Sequence, residues 1–242
     1  MIGKKRSSAG GPPAVLESCP RFGEVTIRDR GRLPHWEADS ATYFITFRLS
    51  DSLPKAILEK IESERKSIVE NTEKLGRALS SDEKKRLRNL STARIENYLD
   101  NGAGACYLRK PAVADAIRRT LLYFDDKRYR LFGWCVMPNH VHVVLRLFPG
   151  QQLASNLHSW KSFTAKEANR ILRRQGTFWQ REYYDHLIRN ENELRRALRY
   201  IAENPVKAGL VNWPWAWVLG AGCPTIAGGT PALRRRIVES DN

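Results

Sequence analysis

The run His140-Val141-His142-Val143-Val144-Leu145-Arg146-Leu147 constrains this chain more than any other, because its side chains divide cleanly at a period of two. Successive side chains on a strand point to opposite faces, so Val141, Val143, Leu145 and Leu147 share one face and His140, His142, Val144 and Arg146 the other. A strand of this kind needs a sheet whose apolar face packs on helices or on a second sheet. The histidine face is expected to look outward. Two imidazoles two residues apart on a rigid strand form half of a metal site: they suit a divalent transition metal and accept Mg²⁺ or Mn²⁺ where oxygen ligands complete the shell. The alternative is a pair of half-exposed histidines hydrogen-bonded locally.

The surrounding elements follow from periodicity and punctuation. Tyr43-Phe44-Ile45-Thr46-Phe47-Arg48-Leu49 is β-branched and aromatic and predicts a strand. Between about Leu53 and Leu99, Ile57, Leu58, Ile61, Leu87 and Leu90 fit two amphipathic helices, the second opened by a capping box at Ser80 and Glu83. This tract is read as an inserted helical hairpin over about 53–105. Pro111 to about Phe124 predicts a helix, Tyr129 to Val136 a strand, and Pro138-Asn139 a turn into the histidine strand. Helical spacing resumes from Leu153 to Ile171, and Tyr183 to Ile188 fits a short strand. The order strand, helix, strand, strand, helix, strand implies an α+β fold, an antiparallel sheet in the split βαβ (ferredoxin-like) arrangement with packed helices. Residues 1–24 and 220–242 carry Gly, Pro, Ser and basic residues without periodicity and are expected to be loose ends of a single domain over 25–219.

Charge narrows the partner. Among 242 residues, Lys and Arg number 41 against 26 Asp and Glu, a formal net charge of +15, which is the footprint of a polyanion binder. No run approaches the roughly 18 apolar residues of a membrane span, and the N-terminus lacks the apolar core of a secretory signal, so nucleic acid is favoured over membrane. Cys19, Cys106, Cys135 and Cys223 show no metal or disulfide spacing, which fits a reducing cytoplasm.

The last helix is the second informative element. Asn190 and Glu193 form an N-cap pair, and Leu194, Ala197, Leu198 and Ile201 form a buried stripe. Tyr200 and Asn204 emerge one turn apart on its shoulder, placed to face the histidines. Pro205 disfavours helical backbone at the residue before it, so the helix is expected to end at Asn204.

Taken jointly, Leu33-Pro34-His35-Trp36 ahead of the first strand, Met137-Pro138-Asn139-His140-Val141-His142, Phe178-Trp179-Gln180, and Tyr200-Ile201-Ala202-Glu203-Asn204-Pro205-Val206-Lys207-Ala208-Gly209-Leu210-Val211 resemble the REP-associated tyrosine transposases. These are relatives of the small single-tyrosine insertion-sequence transposases within the HUH endonuclease superfamily, and Trp213-Pro214-Trp215 extends the resemblance. It implies a metal-dependent single-stranded DNA endonuclease and strand transferase acting on hairpin or REP-type DNA, nucleoid-associated in the cytoplasm, as a monomer or homodimer. His140, His142 and Asn204 would hold Mg²⁺ or Mn²⁺, and Tyr200 would be the nucleophile that forms a 5′-phosphotyrosine. A phenol of pKa about 10 needs a nearby cation or base to attack at neutral pH, and Arg196 lies one turn earlier.

Trp179, Arg181, Lys161 and Lys207, together with Arg196, are the candidate DNA contacts, since basic residues interleaved with aromatics follow a phosphate backbone and stack unpaired bases. Tyr183 and Tyr184 are rival phenols expected to serve structure or DNA contact. His35, His158 and His186 are expected to be structural or DNA-facing, whereas Asp185, Glu182 and Gln180 are possible supplements to the site. Two other classes stay open: a non-catalytic basic nucleic-acid-binding module descended from a transposase, and a zinc hydrolase in which the histidines and a distant third ligand activate water.

Overall fold

A computed structural model describes residues 26–29, 34–77, 80, 82–83, 95, 98–99 and 101–220. The expected loose ends at 1–24 and beyond 220 lie outside these residues. Strands β1 (Thr26–Asp29) and β2 (Pro34–Glu37) form a small antiparallel ribbon. The main sheet has five strands: β3 (Thr42–Arg48), β4 (Tyr129–Val136), β5 (His140–Leu147), β6 (Tyr184–Leu187) and β7 (Ala216–Val218). Its order is β6-β3-β5-β4-β7 and every pairing is antiparallel. Helices α1 (Lys55–Lys74), α2 (Pro111–Phe124), α3 (Leu153–Leu172) and α4 (Glu191–Lys207), with a 3-10 turn at Tyr107–Arg109, complete the described elements. Without β7, the order β6-β3-β5-β4 is that of the split βαβ motif, so the expected α+β class holds.

The expected insertion begins as predicted, with a helix from Lys55. The capping box also forms: Glu83 N–H donates to Ser80 Oγ at 3.2 Å, and Ser80 N–H donates to the Glu83 carboxylate at 2.9 Å. Most of the expected second helix falls outside the described residues.

The sheet is covered on both faces, and this corrects the sequence reading. Helices α2 and α3 cover one side, packing Val113, Ile117, Leu121, Leu157 and Trp160 on Tyr43, Ile45, Phe47, Val141, Val143 and Leu145. On the other side, Leu194 and Ile201 of α4 join Phe44, Phe132, Cys135, Met137 and Val144 in a second core. The histidine face was expected to look outward, yet His140 and His142 are both 0 % exposed. The reason lies in α4: its apolar stripe needs an apolar partner, and the second face of the sheet supplies one through residues on three strands.

A bulge in β4 fits that helix to the sheet. The register with β5 shifts between Leu131 and Gly133, and a Cβ at Gly133 would stand 3.2 Å from both Leu198 Cδ2 and the Trp217 carbonyl oxygen. Glycine admits this close approach without displacing either neighbour. The last helix also runs past its expected end at Asn204, with Pro205 inside it. Its final carbonyls are closed by a left-handed turn at Gly209 (φ 70°): Gly209 N–H donates to Val206 O at 2.9 Å and Leu210 N–H to Pro205 O at 2.8 Å. This six-to-one and five-to-two pair is a Schellman closure, and it holds the proline turn helical against the local preference.

Candidate metal and nucleophile site

Strand β5 directs both imidazoles at α4, and their Nε2 atoms stand 2.8 Å apart. Each outer nitrogen has its own partner. His140 Nδ1 lies 2.7 Å from Asn139 Oδ1, and His142 Nδ1 lies 2.8 Å from Thr46 Oγ1. Thr46 reaches His142 because β3 pairs with β5 in the register that sets these two residues opposite one another. The Phe44 ring stacks on His142 at 5.4 Å and 20°.

Helix α4 supplies the facing groups. The Tyr200 ring meets His142 edge-on at 5.2 Å and Phe44 at 5.7 Å, and its hydroxyl oxygen is shielded from solvent. One turn later Asn204 is 1 % exposed, and neither its amide oxygen nor its nitrogen has a hydrogen-bond partner. A buried amide without a partner is costly and rare, and this one stands one helical turn after the tyrosine that meets His142.

Electrostatics favour a ligand role for the two imidazoles. Burial pushes His142 down to about 3, and burial together with the neighbouring His142 pushes His140 well below the ordinary imidazole range. Both rings are therefore neutral at physiological pH, the form that ligates metal. The donor set of two imidazole nitrogens and an amide oxygen fits an ion that accepts mixed nitrogen and oxygen ligands. Among the described residues no group of three or more His, Cys, Asp or Glu side chains is arranged to hold a metal.

The candidate DNA contacts separate into two groups. Arg196, Arg181 and Lys207 are exposed, Arg196 one turn before Tyr200 and Lys207 paired with Glu203 at 2.8 Å. Lys161 instead ties a loop, its Nζ donating to the Gln180 and Arg181 carbonyls at 2.7 Å each. Burial lowers its pKa to about 8. Trp179 is a correction: it is 5 % exposed, stands edge-on to Phe47 at 4.8 Å and donates its indole N–H to Thr164 Oγ1 at 2.9 Å. It belongs to the α2–α3 side of the core, turned away from the histidines, and offers no stacking platform.

Of the other residues weighed, Tyr184 pairs with Thr46 across β3 and β6 and so shares the site's face, while Tyr183 packs on the opposite core. His186 reaches Glu193 at 3.6 Å, His158 is exposed, and Asp185 pairs with Ile45 and so points away from the histidines. Gln180 and Glu182 are half-buried in the loop that Lys161 holds. The side chain of His35 lies outside the described residues. Phe44, Thr46 and Asn139 were not singled out in the sequence. Alternation in β3 puts Phe44 and Thr46 on one face, but only the register reveals what they touch.

Comparison with known proteins agrees with the motifs. Residues 109–204 match the family model described as "Transposase IS200 like", a span that holds His140, His142, Tyr200 and Asn204. An Escherichia coli REP-associated tyrosine transposase is 28 % identical over 95 residues, covering 38 % of this chain and 55 % of that protein. A Haemophilus influenzae protein provisionally given the same designation is 31 % identical over 96 residues, covering 34 % and 54 %. The chain thus spans about half the length of these curated relatives. A solved REP-associated tyrosine transposase bound to a REP hairpin aligns over 74 % of this chain and 76 % of its own, at 20 % identity and a TM-score of 0.42. The resemblance to this family read from the motifs is borne out by the sequence matches.

Proposed function

We propose that this chain, an IS200-like transposase over residues 109–204, is a single-tyrosine HUH endonuclease and strand transferase that cuts single-stranded DNA beside a REP-type hairpin. The observation that carries the reading is the meeting of Tyr200 with His142 at 5.2 Å, with the unpartnered amide of Asn204 one helical turn further along the same helix. Tyr200 Oη attacks the scissile phosphorus in line, its proton passing to solvent. The bond from phosphorus to the 3′ oxygen breaks, and that oxygen leaves with a proton as a free 3′-hydroxyl. The product is a 5′-phosphotyrosine, and a 3′-hydroxyl of a second strand reverses the step without ATP. His140, His142 and Asn204 would hold Mg²⁺ or Mn²⁺, which offsets the negative charge that builds on the phosphate oxygens. Phe44 fixes the plane of His142, and α4 fixes Tyr200 one turn ahead of Asn204.

The formal charge of +15 grips phosphate without regard to sequence, so affinity for any DNA falls with salt. Exposed Arg181, Arg196 and Lys207 are the assigned backbone contacts. In-line approach by a phenol needs a flexible strand, and a stacked duplex resists it. Labelled DNA incubated with the protein and Mg²⁺ or Mn²⁺ should give a denaturation-resistant adduct on a hairpin with a single-stranded flank. Equal cleavage of a blunt duplex, or cleavage with no adduct on any DNA, would overturn the proposal; the second result is what a metal-activated water would give. Hairpin binding with neither cleavage nor adduct identifies the non-catalytic alternative.

A further inference from the structure

Proton placement on the histidine pair is determined by its outer partners. Asn139 Nδ2 donates to the Ala103 carbonyl at 2.9 Å, which fixes the amide so that Oδ1 faces His140. An amide oxygen only accepts, so His140 carries its hydrogen on Nδ1 and a lone pair on Nε2. The 2.8 Å contact between the two Nε2 atoms then needs its hydrogen from His142. With that hydrogen on Nε2, His142 Nδ1 is a lone pair, and the Thr46 hydroxyl donates to it at 2.8 Å. Every nitrogen of the metal-free pair is satisfied within the protein.

We infer that Asn139 and Thr46 are positioning residues that make the pair a tautomeric latch: closed by an imidazole-to-imidazole hydrogen bond without a cation, and opened when His142 moves its hydrogen from Nε2 to Nδ1. This rests on the cation site proposed above. In the open form both Nε2 lone pairs face the cation, and Thr46 Oγ1 accepts from Nδ1–H. No proton is gained or lost. Thr46 suits this because a hydroxyl both donates and accepts by rotating, whereas a carbonyl or a carboxylate would lock His142 in one form. Asn139, tied to Ala103, gives His140 no such freedom, so His140 presents its lone pair at all times. The outer hydrogen bond of a ligating histidine sets its tautomer and orientation, and its loss typically costs about 10- to 100-fold in metal affinity.

The test uses the full chain labelled with ¹⁵N, with histidine tautomers read by NMR in EDTA and through a titration with Mg²⁺. His140 should stay Nδ1–H throughout, while His142 should change from Nε2–H to Nδ1–H at saturation. Calorimetry should show Mg²⁺ affinity falling at least about 10-fold in Thr46→Val and staying within about threefold of wild type in Thr46→Ser. A His142 that keeps one tautomer while Mg²⁺ binds, or a folded Thr46→Val that binds Mg²⁺ like wild type, overturns the latch alone. Should the wild type bind neither Mg²⁺ nor Mn²⁺, the cation site falls and the latch with it. If Thr46→Val does not fold, the wild-type NMR titration decides by itself.

Discussion

Replacing Asn204 by Leu should raise the stability of the metal-free protein while destroying its response to metal. Both amide atoms of Asn204 are buried without a partner, and burying an amide unpaired costs about 1 to 3 kcal/mol by mutational measure. Leucine has a similar shape, removes that cost and adds about 0.5 kcal/mol of helix propensity in α4. For a chain of this size each kcal/mol moves Tm by about 2 to 4 °C, so Asn204→Leu in EDTA should melt about 3 to 14 °C above wild type. In saturating Mg²⁺ or Mn²⁺ the order should reverse or close, because only the wild type gains stability from binding a ligand to its folded state. Calorimetric melting of both proteins with and without metal gives all four numbers. A variant that melts below wild type in EDTA would refute the reasoning, since it would mean that the amide contributes to the fold rather than waiting for a ligand.

Tyr200→Phe should abolish the covalent adduct and leave hairpin affinity within about threefold, because the ring contacts with His142 and Phe44 persist and only the attacking oxygen goes; an adduct that survives would move the nucleophile to Tyr184, the other phenol on this face. In EDTA, stability should fall as pH drops below about 6.5, where the unfolded imidazoles take up protons that buried His140 and His142 refuse. The slope should approach about 1.4 kcal/mol per pH unit for each histidine, continuing for His142 towards its folded value of about 3; denaturant midpoints that stay flat from pH 7 to 5 would contradict the burial of the pair. Gly133→Ala should cost about 1 to 3 kcal/mol in a urea melt, because the new methyl meets Leu198, which can yield, and the Trp217 carbonyl, which cannot; a neutral result would mean that α4 does not sit as tightly on the bulge as described.

How much of this was legible in the sequence varies with what each residue depends on. The division of the histidine strand into two faces, the span from Pro111 to Phe124 and the Asn190 cap are local patterns, and each stands where periodicity and capping chemistry put it. The outward histidines failed for a non-local reason. Alternation reports that the faces differ, but a helix fifty residues away decides whether the second is wet. Trp179 and Lys161 failed similarly: a basic-aromatic cluster reads as a DNA surface, yet here the indole finds Thr164 and the ammonium finds two carbonyls. At Asn204 a correct local rule about the residue before proline was overridden by the turn at Gly209, four residues beyond the proline that rule considers.

These corrections bear on the chemistry together. A pair of outward histidines would need only to collect a cation from water, whereas this pair lies under α4 and has satisfied its own hydrogen bonds. His140, His142 and Tyr200 Oη are shielded from solvent, so the proposed attack on a phosphate requires this arrangement to open. The helix is closed at both ends: Asn190 Oδ1 caps its start by accepting from Glu193 N–H at 2.9 Å, and the Gly209 turn closes its end. What holds it down is mainly the stripe of Leu194 and Ile201, worth about 1.5 to 3 kcal/mol for each side chain, with Leu198 seated against Gly133. Asn204 works against that stripe at the end of the helix nearest the histidines, because its unpaired amide makes the closed position costlier there than an apolar residue would. In the proposed function the same amide completes the ligand set, so a change that improves packing at Asn204 should slow DNA cleavage even where it raises Tm.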